Sequence, residues 1–352
     1  MRLLILGGTA FLGRATAEAA RAAGHEVTCA ARGESGPPPE GVTFVRVDRD
    51  APDGLAPLEE STFDAVVDVS SRPSQVRKAV AALAGSTGHW TYVSTGSVYA
   101  DRVTPGQRAG SAPVLAAAPP EVDDPAADDY KAYGPCKVAC EEAVRAGVGL
   151  DRGFICRAGL IVGPGDDSGR FAYWVDRLAR GGEVLVPGRP SDPVQWVDVR
   201  DLAEWLVRAA QSGLTGGYDG IGPPVSRIDF LQAVSRGVAA ESQRSRGVTV
   251  DPQWTWVDQD FLSEHGVQPW MGPRSLPMWL PLPDYGGFMT RDVSASLAAG
   301  LATRDVADTA RDTLAWLGGV PLADRAGWPG LAAEDEAALL AAWHARPATA
   351  DR

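Results

Sequence analysis

The sequence predicts an α/β protein: a doubly wound parallel sheet with helices on both faces, followed by a smaller, mixed α/β C-terminal lobe. Three observations carry this. Short apolar runs alternate with helix-patterned stretches through the first half of the chain, the signature of strand–helix–strand units. The first run is followed at residue 7 by a glycine turn, and a helical pattern starts directly after it. The character then changes after residue 158, and ten of the eleven tryptophans lie beyond residue 170. A length of 352 residues also exceeds one ordinary domain.

In chain order, Leu3–Leu6 reads as a buried strand and Phe11–Ala23 as a helix. Glu26–Ala31, Val42–Val47, Ala65–Val69 and Trp90–Ser94 read as further strands, and Phe154–Arg157 as one more. Pro73–Ala84 and Tyr130–Ala146 read as helices, the latter starting close to Tyr133 because Pro135 is tolerated only near a helix start. Between Ala100 and Asp129 the pattern fails. That stretch is rich in Pro, Ala, Gly and Asp and reads as a long surface loop over the substrate mouth. Val194–Val197 and the helical Val199–Ala210 return to the strand–helix pattern. The expected division is therefore a first domain over 1–160, rejoined by 194–212, and a second lobe made of 161–193 and 213–352.

Composition excludes several classes of function. Hydrophobic residues make up 45%, enough to bury a core. A net charge of −12 repels phosphate backbones, so nucleic acid is not an expected partner. Cys29, Cys136, Cys140 and Cys156 have no zinc-ligand spacing with the four scattered histidines, so no metal is expected. No secretory or membrane segment is visible, and the reading is a cytoplasmic protein with reduced thiols.

The turn Gly7-Gly8-Thr9-Ala10-Phe11-Leu12-Gly13 follows the first strand and opens the first helix. In a Rossmann-type fold this is where a dinucleotide pyrophosphate sits. The glycines admit the phosphates, and the helix N-terminus supplies N–H donors and a positive dipole. The first domain is thus expected to bind NAD(P). Ala10 stands at the middle glycine position and slightly restricts that approach. An acidic residue at the end of the second strand would select NAD by bonding the ribose 2′-OH. That end reads Ala30-Ala31-Arg32-Gly33, with Arg32 placed to meet a 2′-phosphate. NADP(H) is favoured and NAD(H) stays open, since a planar guanidinium also stacks on adenine. Asp48 after the third strand suits either an adenine amino group or a helix cap.

Tyr133 and Lys137 are four residues apart and share one helix face. A phenol titrates at about 10, and a neighbouring ammonium stabilises the phenolate, which opens proton exchange near neutrality. The chain has three lysines, Lys78, Lys131 and Lys137, and two of them bracket this tyrosine. Ser94 and Thr95 end the fifth strand, where hydroxyls of an open parallel sheet face the ligand crevice. Thr95 is the candidate to hold a substrate oxygen.

Together these segments resemble the extended short-chain dehydrogenase/reductase superfamily of the NAD-dependent epimerase/dehydratase type. The resemblance rests on the glycine turn, on Ser94-Thr95-Gly96-Ser97-Val98-Tyr99 and on Tyr133-Gly134-x-x-Lys137 with Glu141. It extends through Arg157-Ala158-Gly159-Leu160-Ile161-Val162-Gly163-Pro164-Gly165 and Val197-Asp198-Val199-Arg200-Asp201-Leu202-Ala203. It runs from residue 1 to about 210, and the final third matches loosely. It implies Thr95, Tyr133 and Lys137 as the catalytic set. It implies Gly7, Thr9, Ala10, Phe11, Leu12 and Gly13 at the pyrophosphate, and Ser70, Ser94, Leu160 and Ile161 near the nicotinamide. It further implies a small-molecule substrate held by the second lobe and no membrane, and it is compatible with a homodimer. Sugar-nucleotide 4,6-dehydratases of this family carry Asp-Glu directly after the Thr. Gly96 and Ser97 stand there in this chain, which disfavours dehydration.

In the second lobe, Trp174, Trp196, Trp270 and Trp279 are candidates for an apolar pocket, and Gln268–Met289 for a lid. Tyr173, Arg189 and Gln195 are weaker substrate candidates that flank the way back to the first domain. Three functions follow. The leading one is a reductase or dehydrogenase acting on a carbonyl/alcohol pair. The second is an epimerase that oxidises and re-reduces one carbon of a sugar-like substrate. The third is a catalytically idle relative that binds nucleotide or RNA.

Overall fold

The computed structural model of the chain describes residues 1–126 and 130–346. Residues 127–129 of the long loop and 347–352 of the second lobe lie outside the described residues. The first elements are β1 (Arg2–Leu6), α1 (Phe11–Ala22), β2 (Glu26–Ala31), β3 (Thr43–Arg46), α2 (Ala56–Glu59) and β4 (Phe63–Asp68). They continue with α3 (Pro73–Leu83), β5 (Thr87–Thr95), α4 (Tyr133–Val148) and β6 (Gly153–Ala158). A seven-stranded sheet runs in the order Gly216–Gly220, β6, β5, β4, β1, β2, β3, with every neighbour parallel. This is the Rossmann-type doubly wound sheet. The winding reverses between β1 and β4, and the crevice beyond the strand C-termini at that point is where such sheets take ligands.

The strands form where the sequence is continuously apolar, because both sheet faces are covered. Leu3, Leu4, Ile5 and Leu6 of β1 have no exposed surface. One side of the sheet packs Leu4, Leu6, Val66, Trp90, Tyr92 and Ile155 against Val76, Val80 and Leu83 of α3 and Cys140 and Val144 of α4. Each such large aliphatic side chain contributes roughly 1.5–3 kcal/mol by burial. α1 buries Leu12, Gly13, Thr16, Ala17 and Ala20, a helical-period stripe of mostly small residues that lets it lie close to the sheet. All four cysteines are free and buried.

The chain divides into two compact units. Unit 1 comprises Met1–Ile161, Val199–Pro223 and Thr290–Thr303. The return to it therefore runs over 199–223 rather than 194–212, and a third piece joins at 290–303. The strand Gly216–Gly220 escaped sequence reading because Gly216, Gly217 and Gly220 leave it no apolar alternation. Val194–Val197 forms no strand of the main sheet. Pro193–Val194 instead makes a short antiparallel ladder with Val225–Ser226. α4 begins at Tyr133, with Pro135 in its first turn, where the missing N–H costs no helical hydrogen bond.

The loop after β5 is a strap fastened along unit 1. Leu115 N donates to Val98 O at 2.8 Å, Ala118 N to Pro135 O at 2.9 Å and Gly106 N to Thr290 O at 2.9 Å. The Asp123 carboxylate accepts from both Ser74 N and Ser74 Oγ at 2.6 Å, so it caps the N-terminus of α3.

Unit 2 comprises Val162–Asp198, Pro224–Met289 and residues from Arg304 onward. Helices Arg170–Ala179, Arg227–Arg246 and Val306–Leu317 pack together, and the strand Gly182–Pro187 pairs in parallel with Pro252–Val257. Among the described residues no helix is long and apolar enough to cross a membrane, and no group of three or more side chains suits a metal ion.

Candidate active site

Close backbone packing shapes the glycine turn. Gly7 N donates to Ala30 O at 2.9 Å, which ties the end of β1 to β2. A Cβ at Gly13 would run into the Gly7 carbonyl oxygen, so only glycine lets α1 start this close to the strand end. α1 has no acidic residue in its first turn and no side-chain cap at Ala10. Its first N–H groups and positive dipole end are left to an anion. A cleft of about 150 Å³ opens beside this turn. Gly7, Thr9 and Ala10 line it at one end, and Ala31, Arg32, Glu34, Asp48, Arg49 and Gln75 at the other. Phe11 is half-buried and Leu12 is buried. The arrangement fits a dinucleotide.

Arg32 pairs with Glu34 at 3.1 Å, and both side chains are more than half exposed. Glu34 lies three residues past the end of β2, one step beyond the carboxylate-free stretch Ala30–Gly33, and it was missed for that reason. Asp48 is exposed and accepts from Asp50 N at 3.0 Å. Arg49 was also missed. It reaches from the cleft to Asp68 Oδ1 at 2.9 Å, and that carboxylate also takes Ser70 N at 3.0 Å. Asp68 Oδ2 is buried without a partner among the described residues.

Local packing at Gly134 sets the start of α4 against the turn after β5. A Cβ there would lie 2.5 Å from Ser97 O and 2.8 Å from Leu115 Cδ1. Tyr133 is half-buried beside this contact. Lys137, one helical turn on, is 3% exposed. Its Nζ donates to Ser70 O at 2.9 Å and Val93 O at 2.7 Å, just beyond β4 and near the end of β5, and sits 5.0 Å from the Tyr92 ring centroid. Thr95 caps the turn that follows it: its Oγ1 accepts from Ser97 N at 3.2 Å and donates to Ser97 Oγ at 3.4 Å. Ser70 Oγ donates to Gln75 Oε1 at 2.8 Å. Leu160 is buried and Ile161 half-buried just beyond β6.

The Ser94 hydroxyl is committed elsewhere, donating to Glu141 Oε1 at 2.6 Å. Glu141 is the next step along the Tyr133–Lys137 face of α4 and is fully buried. Arg157 clamps it with Nε on Oε1 at 3.0 Å and Nη2 on Oε2 at 2.9 Å, and Arg145 Nη2 reaches Oε2 at 2.8 Å. Burial alone would raise the Glu141 carboxyl, but the Arg157 hydrogen bonds and charge, with Ser94 and Arg145, pull it below its ordinary range. Arg157 also stands 5.1 Å from the ring of Tyr99, whose hydroxyl donates to Asp219 Oδ1 at 2.6 Å. The Arg291 guanidinium covers that ring at 3.5 Å. One polar network thus locks β5, α4, β6 and the strand Gly216–Gly220 at their ligand-facing ends.

The second-lobe candidates all lie in unit 2. Trp174 is a core residue, 1% exposed, with Nε1 on Pro277 O at 2.8 Å. Tyr173 packs edge-on against it at 5.2 Å. Gln195 is fully buried, while Arg189 is exposed and held by Asp192 at 3.2 Å.

A parallel sheet of this order, with a glycine turn between β1 and α1, defines a Rossmann-type nucleotide-binding fold. The family model for the NAD dependent epimerase/dehydratase family matches residues 3–219, and the chain belongs to that family. Epimerase family protein SDR39U1 of Bos taurus is 24% identical over 259 residues, 68% of this chain and 80% of that protein. Among solved structures, the Bordetella bronchiseptica enzyme WbmH in complex with NAD+ is 19% identical, with a TM-score of 0.59 over 90% of this chain and 98% of that one. UDP-glucuronic acid 4-epimerase from Bacillus cereus in complex with NAD is 13% identical, with a TM-score of 0.59 over 94% and 100%. The NDP-hexosamine 5,6-dehydratase TunA is 18% identical, with a TM-score of 0.60 over 92% and 100%.

Proposed function

We propose that this chain is an oxidoreductase acting on a carbonyl/alcohol pair of a small molecule, with Thr95, Tyr133 and Lys137 as its catalytic residues and the glycine-turn cleft as its cofactor site. The observation that carries this reading is Lys137. A buried ammonium, one helical turn after a half-buried tyrosine, is aimed by two backbone carbonyls at the ligand end of the sheet. A bound nicotinamide dinucleotide supplies the hydride donor or acceptor. Tyr133 Oη gives a proton to the substrate oxygen on reduction and takes it back on oxidation. The Lys137 charge stabilises the phenolate, and two of its three N–H bonds are spent on Ser70 and Val93. The third is left for the phenol or a ribose hydroxyl. The long Thr95–Ser97 hydroxyl contact of 3.4 Å is readily exchanged for a hydrogen bond to the substrate oxygen.

Of the two cofactors, we favour NADP(H). The Arg32–Glu34 pair is exposed on both sides, and such pairs are worth at most about 1 kcal/mol. A 2′-phosphate carries more charge than Glu34 and can take Arg32 from it. Unit 2 holds the substrate in this reading. Epimerisation with retained cofactor is the second reading, and it draws support from the solved relatives that are UDP-sugar 4-epimerases.

The test is substrate-dependent loss of reduced nicotinamide absorbance, read for the native protein and Tyr133→Phe. Net oxidation by the native protein, reduced about 10²–10⁴-fold in Tyr133→Phe with cofactor affinity kept, is expected. Turnover without net oxidation identifies the epimerase. Near-native turnover in Tyr133→Phe refutes the mechanism for both.

A further inference from the structure

Arg227 opens the helix Arg227–Arg246 of unit 2, directly after its Ser226 cap. It is 4% exposed. Its Nη1 donates to the Met278 carbonyl at a long 3.3 Å. Nε is buried and has no acceptor among the described residues. The carboxylate whose charge it feels is Asp192, brought near by the Arg227 N to Asp192 O bond of 2.8 Å. Asp192 is shared, however. Its Oδ2 accepts from Arg189 N at 2.8 Å and its Oδ1 from Arg189 Nε at 3.2 Å. Two guanidinium groups thus stand around one carboxylate, and the buried one makes no direct bond to it.

Burial pushes Arg227 down to about 10, so it stays charged at neutral pH. A buried charge with a single weak hydrogen bond destabilises the protein that carries it. The acceptor is itself unusual: Met278 is 1% exposed and holds a φ of 61°, a left-handed conformation rare for methionine. Strain of this kind collects at ligand clamps.

We propose that Arg227, with Arg189 beside it, is a recognition site for an oxyanion, a carboxylate or phosphate group carried by a small ligand. Nη1 is committed to Met278, and the Nε–Nη2 edge that remains matches two oxygens of such a group in parallel. The side chains that shield Nε must shift to admit it. The inference goes beyond the oxidoreductase reading and does not depend on Tyr133 or Lys137.

The full chain, saturated with whichever nicotinamide dinucleotide it binds so that the glycine turn is occupied, is titrated calorimetrically with inorganic phosphate, pyrophosphate and succinate. Saturable binding of at least one anion is expected, weakened about tenfold or more in Arg227→Met and unchanged in Arg236→Ala, at an exposed arginine of the same helix. Preference for phosphate or pyrophosphate names a phosphate ligand, and preference for succinate names a carboxylate. Without anion, Arg227→Met is expected to melt at or above the native temperature, because an uncompensated buried charge is gone. If that variant does not fold, Arg227→Lys keeps the charge but loses the fork, and its affinity must fall about tenfold. No saturable binding of any of the three anions overturns the proposal. So does binding that survives either substitution.

Discussion

Glu141→Gln is the sharpest perturbation of the scaffold under the proposed reacting groups. The substitution keeps shape and removes one charge. In the native protein that charge sits fully buried against Arg157, whose side chain is 6% exposed, and against Arg145, which is 37% exposed. The amide offers one oxygen where the carboxylate offered two. Either Ser94 and Arg157 Nε or the outer pair of guanidinium nitrogens then faces an NH2 donor. Removing one partner of a buried ion pair costs about 3–5 kcal/mol. Arg145 reaches water and softens this, so we expect about 3 kcal/mol. At roughly 2–4 °C per kcal/mol for units of this size, the apparent Tm falls by about 6–12 °C. The pH dependence gives an independent check. The folded-state carboxyl lies below its ordinary value, so its stabilisation is fully present above the unfolded pKa of about 4.3 and is lost as pH falls through the folded value. The melting curves of the two proteins should therefore be far apart at pH 7 and draw together only as pH falls below the ordinary carboxylate range. A difference under about 1 kcal/mol at pH 7, or a gap that persists in acid, refutes the ion-pair account.

Three further substitutions test the same geometry. Arg32→Ala should erase most of the preference for NADPH over NADH. Glu34→Gln, which removes a like charge, should tighten NADPH about 2–5-fold, and unchanged affinity ratios in both variants would show that this pair does not read the 2′ position. Gly134→Ala should cost about 1–3 kcal/mol, because its Cβ meets the Ser97 carbonyl rather than a yielding side chain. It should lower kcat more than cofactor affinity, and a native kcat would mean the α4 contact does not position Tyr133.

What the sequence made legible was local. The glycine turn, the hydroxyls ending β5 and the four-residue step from Tyr133 to Lys137 each lie within a few residues, and backbone geometry alone relates them. Ser94 shows where that ends. Its position at a strand terminus pointed to the nicotinamide, yet its hydroxyl belongs to Glu141, 47 residues on. Arg157 reaches the same carboxylate from the next strand, and no spacing rule pairs the three. Trp174 is similar: aromatic character suggested a pocket, and the unit 2 core absorbed it. The strand Gly216–Gly220 was invisible because its glycines carry no pattern, although its backbone completes the sheet. Glu34 was one step beyond the window in which an acid was sought.

The contrast between two buried arginines bears on which polar groups in this protein are structural. Arg157 and Arg227 are 5% and 4% exposed, so both have lost nearly all solvent. Arg157 regains it: two parallel bonds to one carboxylate, a carbonyl and an aromatic face use its donors, and its charge is held more firmly than in water. Arg227 regains little, with one long bond to a strained residue and a share of a carboxylate already engaged. Burial without compensation is costly, and a fold has simple ways to avoid it, since an apolar side chain of similar volume would serve packing alone. A residue that keeps its charge under those terms is explained by something outside the free protein that completes its hydrogen bonds. By that criterion Arg157 belongs to the scaffold and Arg227 to a ligand.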